Sequence, residues 1–237
     1  MKSLAPFLRR VLAGAAILGV GAFCAELVGD MRPPSERWSF LERGASLSEL
    51  HLHPASASAG PWAIEDHDSA TGARALVNHE GAEGRPALLL AKSIRTRDLT
   101  ASTRCKSSAQ CGLVFRYRND DNYDVVRFDA PTQRVILGSM VGGHDVTTCA
   151  APVAFDATAG SDAWQDLRVE ATAGIIRVHW SNRLVIEATE GAPANSGYAG
   201  LWVPATATAY FDELSIEALP DSPRALEVLP LLGRSSG

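Results

Sequence analysis

The stretch GLVFRYRNDDNYDVVRF, residues 112–128, holds Arg116, Arg118, Tyr123 and Arg127 close together. A guanidinium fork suits carboxylates and sugar hydroxyls, and a phenol ring suits the C–H face of a pyranose. Successive side chains on a strand point to opposite faces. Alternation therefore puts Leu113, Phe115 and Tyr117 on one face of the first run, and Val114, Arg116 and Arg118 on the other. In the second run Val126 and Phe128 read as core, with Tyr123, Val125 and Arg127 opposite. Pairing of the two runs around residues 119–122 would gather Arg116, Arg118, Tyr123 and Arg127 into one outward cluster, the expected ligand-binding surface. The alternative is a solvated sheet face whose arginines pair with neighbours such as Asp124 and Glu170.

Other residue types offer weaker chemistry. Trp62, in a Gly-Pro-Trp segment, is expected as an exposed stacking platform, whereas Trp180 and Trp202 read as core and Trp164 as a rim residue. The run 119–122 has the oxygen density for calcium but lacks the Gly and distal Glu of an EF-hand loop, so it reads as a turn held by Asx side chains. His51, His53, His67, His79 and His144 fall in loop-like segments without a diagnostic metal spacing. Cys105 and Cys111 flank KSSAQ between two strand-like runs and are expected to staple a hairpin as a disulfide. Cys149 then either pairs with Cys24 or stays a free thiol. No Gly-x-Ser-x-Gly, phosphate-binding glycine loop or Cys/His nucleophile pattern is present.

These residues need a scaffold. The chain has 237 residues, 46% of them hydrophobic, enough for one well-buried core and too many for a disordered chain. It carries 22 basic and 27 acidic residues, a net charge of −5, and the first 25 residues contain only basic charges. The remainder is therefore more acidic still, and no nucleic-acid partner is expected.

Residues 1–10 form a basic head, and residues 11–25 an apolar run shorter than the roughly 20 residues that span a bilayer. That layout predicts a signal peptide or N-terminal membrane anchor over 1–25, and hence an exported, periplasmic or extracellular protein. The membrane would be met only through this segment, if it stays uncleaved. A linker is expected over 26–37, one domain over 38–219 and a flexible tail over 220–237.

From residue 87 onward ten short runs rich in β-branched and aromatic residues alternate with turn signals. One pair, GIIRVHW and RLVIEAT, is joined by Ser181 and Asn182, a tight-hairpin signal. Ten such strands with no amphipathic helix predict an all-β sandwich or barrel.

Three stretches narrow this choice: CGLVFRYRNDDNYDVVRFDA, SDAWQDLRVEATAGIIRVHWSNRLVIEAT and SGYAGLWVPATATAYFDELSI, with PWAIEDHDSATGARALVNHE upstream. Together they resemble exported bacterial domains of the concanavalin A-like lectin/glucanase superfamily, close to the laminin-G-like and 3-keto-disaccharide hydrolase domains. The resemblance spans roughly residues 38–218. It implies an all-β, antiparallel two-sheet jelly-roll sandwich whose members include lectins, hydrolases and scaffolding modules. It also implies that Asp212, in Phe211-Asp212-Glu213-Leu214, helps to hold a structural calcium; no other cofactor is expected. The Glu-x-Asp-x-x-Glu strand that carries catalysis in laminarinase-type relatives is absent. The expected role is therefore non-catalytic glycan binding. A hydrolase or lyase acting on 3-keto-glycosides, and a structural or protein-interaction module of the cell envelope, stand as alternatives.

Overall fold

A computed structural model describes residues 33–40, 46–55, 61–68, 70–79, 84–153, 163–190 and 195–220. The basic head and apolar run, most of the expected linker and nearly all of the expected tail lie outside these residues. The strands are β1 (Ser35–Ser39), β2 (Leu52–Pro54), β3 (Trp62–Asp66), β4 (Arg74–Asn78) and β5 (Ala87–Thr96). They continue as β6 (Leu99–Lys106), β7 (Gln110–Asn119), β8 (Asn122–Asp129), β9 (Arg134–Val141) and β10 (His144–Pro152). The last five are β11 (Gln165–Thr172), β12 (Ile175–Trp180), β13 (Arg183–Thr189), β14 (Gly197–Val203) and β15 (Ala209–Ala218).

Two antiparallel sheets form a sandwich. One has eight strands in the order β13-β12-β11-β6-β15-β4-β3, with β1 added against β15; the other has seven, β10-β9-β8-β7-β14-β5-β2. Neighbours such as β6 and β15, or β14 and β5, are far apart in sequence, so long-range pairing sets the topology.

Alternation drives the packing. On β11 the side chains of Leu167, Val169 and Ala171 enter the core, as do Ile176, Val178 and Trp180 on β12. Across the sandwich they meet Leu113, Phe115, Val126 and Phe128, and the Phe128 and Trp180 rings lie 4.4 Å apart. Fully burying side chains of this size stabilises the fold by about 1.5–3 kcal/mol each. Ser181 and Asn182 have φ of 46° and 62°, both left-handed, which is what a two-residue turn needs to follow the strand twist.

All ten expected strands are present; β2 falls in the 45–61 segment, read as loop with one weak strand, and β1, β3, β4 and β10 were missed. β10 was missed because it is a sheet edge with most of its residues exposed, leaving no apolar alternation to read. β1 starts at Ser35, inside the expected linker. The cysteine expectation also changes. Cys105 on β6 and Cys111 on β7 belong to different sheets, so the turn between them crosses the sandwich and makes no hairpin. Both side chains are buried in the core beside each other.

Candidate functional site

The seven-stranded sheet is apolar on both faces. Besides the core face, its outer face carries Leu88 and Leu90 of β5, Val114 and Tyr117 of β7, Tyr123 and Val125 of β8, and Trp202 of β14, all buried. A sandwich sheet that faced only water would show polar residues there. The Tyr117 and Tyr123 rings stack at 6.1 Å, and the Arg127 guanidinium lies 5.6 Å from the Trp202 ring centroid while its Nη1 donates to Asp145 at 2.8 Å.

Register explains the cluster. β14 sends Ala199, Leu201 and Val203 into the core, so Tyr198, Gly200 and Trp202 face outward. Trp202, expected between the sheets, is therefore on the outer face. Gly200 lets β14 approach β5: a Cβ there would stand 1.9 Å from the Leu89 carbonyl oxygen.

A bulge decides the fate of Arg116. The β7–β8 register shifts between Phe115 and Asn119, and Arg116 takes a left-handed φ of 50°. Three β7 residues, 116–118, thus face Tyr123 alone on β8, and against β14 the shift from Val114–Gly200 to Tyr117–Tyr198 adds one residue, which reverses the alternation beyond it. Tyr117, expected in the core, turns outward into the cluster. Arg116, expected outward, is buried. Its Nε donates to the Arg97 carbonyl at 2.8 Å, and its guanidinium pairs with both oxygens of Glu190 and, at 3.4 Å, with Asp124. Every direction of this fork is thus committed inside the protein. Gly197 permits the bulge, since a Cβ there would sit 2.3 Å from the Arg116 carbonyl carbon.

The other expected site residues divide in the same way. Tyr123 and Arg127 join the outer cluster, and Arg118 is exposed at the end of β7. Trp62 is not an exposed platform: it is buried against Phe211, with ring centroids 5.9 Å apart, because β3 turns that side chain into the core. Asp212, expected on calcium, is 1% exposed; it accepts from Arg104 Nη1 at 2.8 Å and from the Thr71 amide at 3.1 Å. Arg104 supplies the positive charge that this buried carboxylate requires, and no group of three metal-capable acidic, Cys or His side chains occurs among the described residues.

Beside the cluster lies a cavity of about 170 Å³. Tyr123, Met140 and Leu88 form its apolar side; Asp120, Asp121 and Arg85 form its polar side. The turn bearing the two acids is built as expected from Asx contacts, with the Asp121 amide donating to Asn119 Oδ1 at 3.1 Å. The Tyr117 hydroxyl donates to Asp120 Oδ1 at 2.7 Å. Burial, then Asp120, pushes the Tyr117 hydroxyl well above the usual phenol range. Burial also raises Tyr123, against the pull of Trp202, which hydrogen-bonds its hydroxyl. Both phenols are therefore neutral hydrogen-bonding groups at any physiological pH.

Sequence reasoning found Tyr123 and Arg127 but missed Tyr117, Trp202, Asp120 and Arg85 as a group. Alternation on β14 would have located Trp202. Nothing local marks the bulge at Arg116.

Two antiparallel sheets paired in this order match solved structures over most of the chain. The carbohydrate binding module CBM66 from Bacillus subtilis superposes with a TM-score of 0.56 at 20% identity, covering 71% of this chain and 96% of that one. A Bacillus subtilis protein of unknown function with a galectin-like fold matches at 0.56 and 11% identity, over 79% and 96%. The fold is the concanavalin A-like jelly roll. The apo Crh5 transglycosylase shares it, with a TM-score of 0.54, 11% identity and coverage of 79% and 85%. No protein-family model and no curated protein matches the sequence. In this jelly roll the cavity sits on the outer face of the seven-stranded sheet, at the end bearing the 120–121 and 142–143 turns.

Proposed function

We propose that this jelly roll is a non-catalytic glycan-binding domain that takes one sugar residue into the cavity beside Tyr123. The observation that carries the reading is the meeting of Asp120, Asp121 and Arg85 with an apolar wall of Tyr123, Met140 and Leu88. A pyranose has the same two-sided character, hydroxyls around the edge and C–H groups on the face, and sugar sites use charged acceptors and donors at the first and apolar side chains at the second. The cavity is smaller than the roughly 300–1,000 Å³ of pockets for drug-sized ligands, which favours an end residue.

Catalysis is disfavoured by the placement of the acids. Glycosidases flank the scissile bond with two carboxyl groups about 5–9.5 Å apart. Asp120 and Asp121 are neighbours on one turn, and Asp120 is held by Tyr117. Structural likeness to a carbohydrate binding module supports the reading at the level of fold, and the basic head and apolar run at residues 1–25 support a site of action outside the cytoplasm.

The test is binding of the full chain to a panel of neutral oligosaccharides, followed by Asp121→Asn and Arg85→Gln. Both side chains are exposed, so stability should hold while affinity for the best ligand drops at least tenfold. Absence of any ligand on the panel would favour the structural module. Turnover of a panel member or of a 3-keto-glycoside would replace the lectin reading by the enzyme one.

A further inference from the structure

The outer face of the eight-stranded sheet carries a second and larger groove, of about 400 Å³, within the range of ligand sites. Its floor is a row across five strands. Register places His179 of β12 beside Arg168 of β11, Arg168 beside Ser102 of β6, Ser102 beside Ser215 of β15, and Ser215 beside Arg37 of β1. Two small hydroxyl residues thus lie between two arginines that are three strand spacings, about 14 Å, apart. Arg104, in the next row between Asp166 and Glu213, lines the same groove, its guanidinium 5.5 Å from the Trp164 ring centroid.

The arginines differ in how they are held. Arg104 spends Nη1 on Asp212 and Thr71, and the buried Asp212 fixes it in place; its Nε and Nη2 have no hydrogen-bond partner among the described residues. Arg37 and Arg168 rest in exposed ion pairs, with Glu213 at 2.7 Å and Glu170 at 3.4 Å. Exposed pairs of this kind are worth little, so both guanidinium groups can turn to a ligand at small cost. His179 lines one end of the row, and its Nε2 is buried without a hydrogen-bond partner, a polar atom that a small turn of the ring would offer to a ligand hydroxyl. Three arginines line this groove together with the carboxylates of Asp166 and Glu213, and a ligand carboxylate would take the place of Glu213 and Glu170 on the two terminal arginines.

We propose that this groove binds an acidic oligosaccharide laid across the strands, its carboxylates on Arg104 and the two terminal arginines and its hydroxyls on Ser102, Ser215 and His179. The site is separate from the cavity on the opposite sheet and does not depend on it. Guanidinium forks favour carboxylates over neutral esters, because only the charged acceptor forms the paired, charge-assisted bonds.

The experiment is calorimetric titration of the full chain with a galacturonate trimer, its fully methyl-esterified form, and inorganic sulfate. The trimer is expected to bind, with the ester and sulfate each at least tenfold weaker and the trimer's affinity falling as salt rises. The double variant Arg37→Gln with Arg168→Gln should weaken the trimer at least tenfold. Arg104→Gln alone strands the Asp212 charge in the interior and endangers folding, so Arg104→Gln is paired with Asp212→Asn and should show the same loss in a folded protein. Asp121→Asn and Arg85→Gln, in the other site, should leave trimer binding unchanged. No trimer binding, equal binding of ester or sulfate, or a loss that follows the Asp121 and Arg85 variants instead would each overturn the proposal.

Discussion

The Arg127 guanidinium reaches over the Trp202 ring because Gly112 stands between the two in register and has no side chain to fill the gap. That contact joins β8 to β14 across β7 and fixes the far side of the outer cluster. A cation over an indole contributes about 0.5–2 kcal/mol, depending on desolvation. A double-mutant cycle with Arg127→Met and Trp202→Leu, read by denaturant unfolding, should return a coupling in that range. Alanine at Gly112 should cost more, about 1–3 kcal/mol, since its Cβ would meet the Val126 carbonyl oxygen at 2.2 Å and the backbone must shift.

Arg116 is a structural residue. Truncating it leaves Glu190 and Asp124 without their buried partner, a change that typically costs about 3–5 kcal/mol. Arg116→Ala is expected to lower the unfolding midpoint sharply, while Arg118→Ala, at an exposed position, should stay within about 0.5 kcal/mol of the parent. Equal stabilities for the two variants would sink this assignment.

Tyr117 and Tyr123 hold their protons more tightly when folded, and the sign follows from that. Their contribution to stability is complete below the unfolded phenol value of about 10 and declines as pH rises above it. Alkaline titration followed by phenolate absorbance should find Tyr117 silent at pH 10 and Tyr123 ionising above the range of a free phenol. Tyr117→Phe should flatten the alkaline loss of thermal stability; an unchanged slope would mean that Tyr117 takes no part.

Thiol reactivity separates the cysteines. Burial, then Cys105, pushes the Cys111 thiol up, so little thiolate exists to attack a reagent. In the reduced native protein, iodoacetamide at pH 8 is expected to modify the half-buried Cys149 and spare Cys105 and Cys111. Peptide mapping before and after urea unfolding would show the difference, and native-state modification of Cys111 would contradict it.

Much of the scaffold was legible because a sandwich writes itself into local alternation. Leu167, Val169 and Ala171, or Val126 and Phe128, fall into the core by counting residues, and Ser181-Asn182 announces its turn by type. The edge strand β10 left no such trace, since neither of its faces is fully buried. The outer-face cluster was legible only where alternation ran undisturbed, at Tyr123 and Arg127.

The sequence by itself determined ten of the fifteen described strands and most of the core, because apolar burial with a period of two depends only on neighbours along the chain, while the two-sheet jelly roll followed from the family resemblance. Tertiary structure alone decided the sites. The left-handed bulge at Arg116 exchanged it with Tyr117, and Asp212 met Arg104 rather than standing free. The serine-floored row from Arg37 to His179 exists only because five strands, drawn from positions 35 to 218, come into register. Those outcomes depend on which strands become neighbours, and long-range pairing is not encoded in any one segment.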